Sequence, residues 1–325
     1  MGRSASKFSA PLKYYDYSWE IIDPNDPKIF GQEINNEAYC VENTDRLENP
    51  KDLDNKQEKD IQSTIMENKF IKFNPNSDWS DYTFVFACVS VGNIGQLSAD
   101  LLISSLSNTQ KCGYFVSNLV QPIAGHDAFV QNSTDISLSC ELYENSNLKL
   151  VIMQQRSPLL KGKRKEFVRL LTDFVKVENF KESICLTSSH AYERLDSQLT
   201  GIQCRYLTSE NSNKTTLEDK LNWKLLEKRI DHNGNLSLDK ENDLDFFIPG
   251  GGIAQKFYKA SKEKDLNSTV LLVFAHEGNN IPEAFQLVNY LNEWKNYFAK
   301  QSQLRIPISW KYLFGPSIDP SVSIY

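Results

Sequence analysis

The sequence predicts an α/β fold built on a mixed, mostly parallel sheet with helices on both faces, preceded by a poorly ordered N-terminal extension. Three observations carry this. Short β-prone apolar runs alternate with segments of helical apolar spacing from Tyr82 to Tyr297. Two runs, 136–143 and 148–155, are separated by the turn-rich Glu144-Asn145-Ser146-Asn147 and read as an antiparallel hairpin. Residues 1–78 hold few apolar clusters, and 41–60 is almost wholly polar and charged, so ordering it would not be offset by burial. The expected organisation is an extension over 1–78, an α/β domain over 79–315 and an extended tail over 316–325.

Within the extension, Tyr14–Ile22 and Phe70–Phe73 break the polar pattern, the first as a short strand, a docking motif or simply sticky aromatics in a poorly ordered region. The run 82–91 (YTFVFACVSV) is the first buried strand, on its length and its β-branched and aromatic content. Gly92-Asn93-Ile94-Gly95 turns the chain, and apolar residues at 97, 101, 102 and 106 make 96–106 a helix. A strand over 111–116 precedes the hairpin, and 165–177 is an amphipathic helix. Residues 183–187 form a buried strand, and 217–227 reads as a helix with Trp223 on its apolar face. Phe246–Ile248 leads into Gly250-Gly251-Gly252, then a helix over 253–260, a central strand over 269–275 and a long helix over 281–297. Pro282 sits in the first turn of that last helix, where a missing N–H is harmless, and Asn280 is placed to cap it.

Composition bounds the function classes. The 325 residues are 40% hydrophobic and 24% charged, ordinary for a soluble globular protein. A formal net charge of −6 argues against a nucleic-acid partner. No apolar run approaches the roughly 18–20 residues a membrane span requires, and the N-terminus lacks a secretory apolar region. The six cysteines include no CxxC pair, and Cys88, Cys112, Cys140 and Cys185 lie in or beside apolar stretches. They read as reduced, buried thiols in a cytoplasmic or nuclear setting.

Several motifs are candidates for chemistry. Val91-Gly92-Asn93-Ile94-Gly95 lies between strand and helix, where α/β proteins hold anions. It lacks the third glycine of a dinucleotide fingerprint and the Lys-Ser/Thr of a P-loop, so a tight turn is favoured. Gly250, Gly251 and Gly252 expose backbone N–H groups and admit a close neighbour: a phosphate, or a partner's carbonyl or carboxylate. Lys256 is the nearest cation, which favours structure or protein contact. Ser188-Ser189-His190 invites a hydrolase reading, but no GxSxG elbow is present and adjacent residues diverge at a strand end. The four histidines show no metal-ligand spacing, and no cofactor is expected. Lys161, Lys163, Arg164 and Lys165 form a basic turn, either simply solvated or aimed at an acidic protein surface.

Taken in series, many segments resemble the PAC2 family of proteasome assembly chaperones. They include Val89–Leu97 with Asp100–Ser104, Gly113-Tyr114-Phe115, Asn132-Ser133-Thr134 and Gln155-Arg156-Ser157. Further along come Ser188–Arg194, Leu221-Asn222-Trp223, Ile248–Ile253, Glu277–Ala284, Tyr290–Trp294 and Pro307–Gly315. They follow the family's order across 84–315, and the polar extension is not covered. The resemblance implies a phosphorylase/hydrolase-like α/β fold without catalysis. It implies a heterodimer with proteasome assembly chaperone 1 that scaffolds proteasome α-subunits into a ring and prevents off-pathway ring dimers.

Related chaperones dock a hydrophobic–tyrosine–any-residue C-terminus between α-subunits. This sequence ends Val322-Ser323-Ile324-Tyr325, with tyrosine last instead of second to last, so the resemblance transfers to Ile324 and Tyr325 only with a one-residue offset. Pro316 and Pro320 oppose helix formation, so the tail is expected to be extended and mobile. Candidate protein-binding residues are therefore Ile324, Tyr325, Gly250, Gly251, Gly252, Lys161, Lys163 and Arg164. The rival class is a small-molecule enzyme of nucleoside phosphorylase or hydrolase type, with an anion held at Gly92–Gly95 or Gly250–Gly252.

Overall fold

A computed structural model describes residues 20–21, 68–228, 246–276, 278–299 and 303–312. In chain order the first elements are β1 (Glu20–Ile21), β2 (Lys69–Lys72), β3 (Thr83–Ala87), α1 (Ile94–Ser105), β4 (Gln110–Val116), β5 (Ile123–His126) and β6 (Ile136–Leu138). Then follow β7 (Cys140–Asn145), β8 (Leu150–Gln155), α2 (Arg164–Val177), β9 (Glu182–His190), β10 (Arg205–Thr208), α3 (Asn211–Thr215) and β11 (Lys224–Leu225). The last are α4 (Ala254–Glu263), β12 (Ser268–Ala275), α5 (Ile281–Lys295) and a 3-10 turn at Ile308–Tyr312.

Nine strands form one mixed sheet in the order β11-β10-β12-β9-β3-β8-β7-β4-β2. The centre, β12-β9-β3-β8, is parallel, while β8-β7-β4-β2 is antiparallel. Parallel strands must be covered on both faces, and β3, β8 and β12 are buried along their whole length. Alternate side chains point to opposite faces. Phe84, Phe86, Cys185, Val270 and Leu272 meet Phe167, Leu171 and Phe174 of α2 and Phe257 of α4. Val85, Ala87, Ile184, Leu271 and Val273 meet Leu97 and Leu101 of α1 and Leu287 and Leu291 of α5. The expected helices on both faces are present, two to a side. Each fully buried aromatic or branched side chain contributes about 2–3 kcal/mol against exposure. Among the described residues, no helix is long and apolar enough to cross a membrane.

The sheet starts earlier than expected, because β2 lies ahead of residue 79. Phe70 stacks on Phe174 at 4.1 Å and contacts Phe115 at 4.4 Å, while Lys72 bonds Glu178 at 2.7 Å. An edge strand needs few buried residues and tolerates flanking lysines, so the short apolar patch at Phe70–Phe73 stands out in sequence without marking a strand. Glu20 and Ile21, within the aromatic patch, pair antiparallel with Ala124 and Ile123. Residues 1–19 and 22–67, like the tail over 316–325, lie outside the described residues.

Two other segments depart from expectation. The run 136–143 is divided between β6, in a three-stranded sheet with β1 and β5, and β7 in the main sheet. Ser139 makes the division: its Oγ accepts from Ile123 N at 2.8 Å and its carbonyl from Arg156 N at 2.8 Å. The helix expected over 217–227 ends at Lys220 instead, and Lys224–Leu225 is a strand. Asn222 adopts φ 54°, which breaks the helix, and Trp223 is buried against Tyr290.

Candidate functional site

The carboxyl ends of β8, β3, β9 and β12 lie along one edge of the sheet, where open α/β proteins ordinarily bind ligands. Three of the segments singled out in the sequence meet there. Gly250 and Gly252 hold left-handed backbone angles, φ 76° and 64°. The Gly250 carbonyl accepts the Val91 N–H at 2.8 Å, seating the triple-glycine turn on the turn that follows β3. A Cβ on Gly252 would stand 2.5 Å from the Val89 carbonyl oxygen, and one on Gly250 2.9 Å from His190 Nε2. The glycines therefore admit a close neighbour, as expected, and the neighbour is the chain itself.

The hydroxyls at the end of β9 complete this junction. Thr187 Oγ1 donates to the Gly251 carbonyl at 3.0 Å, and Ser189 Oγ donates to the Pro249 carbonyl at 2.9 Å. Ser188 Oγ lies 2.6 Å from the Val91 carbonyl and 2.8 Å from Ser90 Oγ. Nucleophilic serine needs a base able to take its proton, and a backbone carbonyl is no such base. His190 stacks on Tyr192 with ring centres 4.8 Å apart. The Ser-Ser-His run thus holds the glycine turn in place.

Asn280 stands at the N-cap position of α5, as expected, but its side chain makes no cap bond there. Its Oδ1 accepts from His276 N at 2.9 Å, and its Nδ2 donates to the carbonyls of His276 at 3.0 Å and Gly278 at 3.1 Å. It closes the loop after β12 on itself. Asn279 Oδ1 accepts the Ile281 N–H at 2.9 Å instead.

Beside the glycine turn is a cleft of about 80 Å³ lined by Val89, Gln155, Pro158, Leu159, Arg164, Gly252 and Ile253. Small-molecule sites usually enclose roughly 300–1,000 Å³. Gly252 and Arg164, expected independently as contact residues, share this cleft, so the triple glycine and the basic turn adjoin. Lys161, Arg164 and Lys165 are exposed, whereas Lys163 faces Glu166 across 3.3 Å. The cleft thus combines apolar Val89, Pro158, Leu159 and Ile253 with the amide of Gln155 and one cation, Arg164. Ile324 and Tyr325 lie outside the described residues.

A buried charge cluster was not anticipated. Arg156 Nη2 pairs with Asp100 Oδ1 at 3.1 Å, and its Nε lies 4.0 Å from Glu141 Oε2. Glu141 also holds Lys111 Nζ at 2.7 Å and accepts from the Tyr143 hydroxyl at 2.9 Å. Gln154 Nε2 donates to Asp100 Oδ1 at 2.7 Å, and Trp310 Nε1 donates to Asp100 Oδ2 at 3.2 Å. Burial opposes the Arg156 charge, but Asp100, Tyr143 and Glu141 outweigh it and hold its pKa above the ordinary value. Burial first, then Glu141, pushes the Tyr143 phenol upward. The available sequence signal was Asp100 among Ala99, Leu101 and Leu102 on a buried helix face, since a carboxylate there requires partners.

The sequence profile of the PAC2 family matches residues 84–297, from β3 to just beyond α5. The chain belongs to the PAC2 family. It is 39% identical over 248 residues to proteasome assembly chaperone 2 of Danio rerio, covering 74% of this chain and 94% of that protein. It is 37% identical over 260 residues to the Homo sapiens protein of the same name, covering 75% and 96%. Its fold is similar to that of Pyrococcus furiosus PbaA, an archaeal homolog of proteasome-assembly chaperone, with TM-score 0.53 at 14% identity over 72% of this chain and 88% of that one. The archaeal proteasome activator PbaB of the same organism gives TM-score 0.51 at 15% identity, over 72% and 91%. These two likenesses concern the fold alone. In this PAC2 family member the carboxyl edge of the sheet is packed with the chain's own glycine turn.

Proposed function

We propose that this chain is a chaperone for assembly of the 20S proteasome, acting as a heterodimer with proteasome assembly chaperone 1. In this reading the pair scaffolds α-subunits into the α-ring and prevents off-pathway ring dimers in the cytoplasm and nucleus. The observation that carries it is identity of 39% and 37% to proteins named proteasome assembly chaperone 2, extending over 94% and 96% of their lengths. The engaged hydroxyls of Ser188 and Ser189 agree with work done by surface contact and no bond chemistry.

The contact surfaces in this reading are the basic turn of Lys161, Lys163 and Arg164 with the adjoining Gly250–Gly252, and the apolar–aromatic pair Ile324 and Tyr325. The turn offers cations to an acidic surface, and the pair offers an aromatic anchor to a pocket between subunits.

Reconstitution tests the proposal. The purified chain, proteasome assembly chaperone 1 and recombinant α-subunits are mixed and resolved by native mass spectrometry. The expected result is a one-to-one chaperone pair that raises the yield of seven-membered α-rings and lowers that of ring dimers. Failure to associate with either chaperone 1 or α-subunits would overturn it.

A further inference from the structure

The cleft beside the glycine turn encloses about 80 Å³, and its apolar lining comes from Val89, Pro158, Leu159 and Ile253. A dry cavity of about 150 Å³ holds a benzene ring, so this smaller cleft has room for one aliphatic side chain and not for an aromatic one. Arg164 is the cation among its lining residues and is exposed. Two helices also start at the cleft, because Arg164 is the first residue of α2 and Ile253 the N-cap of α4. Neither start carries a side-chain cap, so both positive helix ends reinforce the Arg164 charge. The first turn of α4 holds no acidic residue, and Glu166 in the first turn of α2 is engaged by Lys163 at 3.3 Å.

We infer that this cleft is a socket for one partner side chain: a branched aliphatic residue with a carboxylate next to it, on a proteasome α-subunit. The inference rests on the α-subunit contact proposed above and supplies its anchor. The aliphatic group fills the apolar lining, and the carboxylate meets Arg164, with Lys161 and Lys165 exposed in the same turn. A free inorganic anion would leave the apolar lining unfilled. One side chain seated in a desolvated pocket and ringed by weaker contacts is the usual anchor of a protein interface. A standing dimer buries roughly 800 Å² on each partner around an apolar core. A socket for a single side chain beside exposed cations suits a contact that forms and releases, which assigns the occupant to the α-subunit and not to the sister chaperone.

The test uses the full chain paired with proteasome assembly chaperone 1, reading the Kd for recombinant α-subunits at low and at high salt. Val89→Phe fills the socket and is expected to weaken binding about tenfold at both salts, through faster dissociation. Arg164→Glu is expected to weaken it about tenfold at low salt and to keep a loss of about threefold at high salt, because a partly desolvated pair is screened less. Lys161→Glu makes the same charge change outside the cleft, and its loss of about twofold should vanish at high salt. Equal losses for Arg164→Glu and Lys161→Glu would reduce the turn to a general field and overturn the socket. Unchanged affinity for Val89→Phe, in a chain of unaltered melting temperature, overturns it too. Arg164 is exposed, so its variant keeps the test decisive if Val89→Phe does not fold. A Val89→Phe chain that loses chaperone 1 but keeps α-subunits gives the cleft to the sister, against the inference. Absence of α-subunit binding by the natural chain removes the proposed function, and the socket with it.

Discussion

The Arg156 guanidinium stands 3.1 Å from the Asp100 carboxylate, with side-chain exposures of only 7% and 5%. The pair joins the end of β8 to the middle of α1, and Trp310 and Gln154 complete the bonding of Asp100. Removing one member of a buried pair leaves the other charged and desolvated. Asp100→Ala is therefore expected to cost about 3–5 kcal/mol, measured by urea denaturation. A loss under about 1 kcal/mol would mean that Arg156 finds water on its own.

Gly252 combines a left-handed backbone with a missing Cβ that would sit 2.5 Å from the Val89 carbonyl. Gly252→Ala meets strain and collision together, with an expected loss of about 2 kcal/mol or more. Gly201 also has positive φ, but an added Cβ there meets nothing within 4 Å, so Gly201→Ala incurs the backbone term alone. Thermal midpoints of the two variants should separate accordingly, and equal midpoints would refute the close approach.

Acid should weaken the fold partly through Glu227. Burial raises its pKa, but hydrogen bonds from Gln198 and its own backbone, with Arg205 nearby, outweigh that and hold it below the ordinary value. A depressed folded-state pKa contributes stability above the unfolded value, about 4.3, and that contribution is lost as pH falls through the folded value. Glu227→Gln should therefore show a shallower fall in urea midpoint than the natural chain between pH 5 and pH 3, pH values set by that range. Parallel curves would exclude this carboxylate.

The basic turn is expected to act on encounter. Reversing Lys161, Arg164 and Lys165 to glutamate should slow association with α-subunits several-fold at low salt, and the difference should shrink as salt rises. These side chains are exposed, so the melting temperature should stay within about a degree. A salt-independent loss would point to misfolding or to a direct apolar contact.

Much of the architecture was readable because it depends on local pattern. The runs at 82–91, 148–155 and 269–275 are short, apolar and β-branched, and they became the sheet's central strands. The misread segments turned on a tertiary contact, a single backbone break or a local side-chain bond, none of which shows in the apolar pattern. Phe70 is ordered by Phe115 and Phe174, and Trp223 is buried by a break at Asn222 and by Tyr290. Asn280 satisfies the same polar rule as a cap but turns to His276.

Sequence alone determined the α/β class, the central strands with the four helices that cover them, the close approach at the triple glycine and kinship with the PAC2 family, but not β5, β10 or β11. Tertiary structure decided what those residues face. It placed the glycine turn against Val89 and Val91, gave the hydroxyls of Ser188 and Ser189 to backbone carbonyls, and brought Asp100, Arg156 and Trp310 to one buried point. The physical reason is range: backbone preference and apolar periodicity act over a few residues and are written in the chain. Hydrogen-bond and charge pairing are settled only when folding brings distant side chains within about 3 Å.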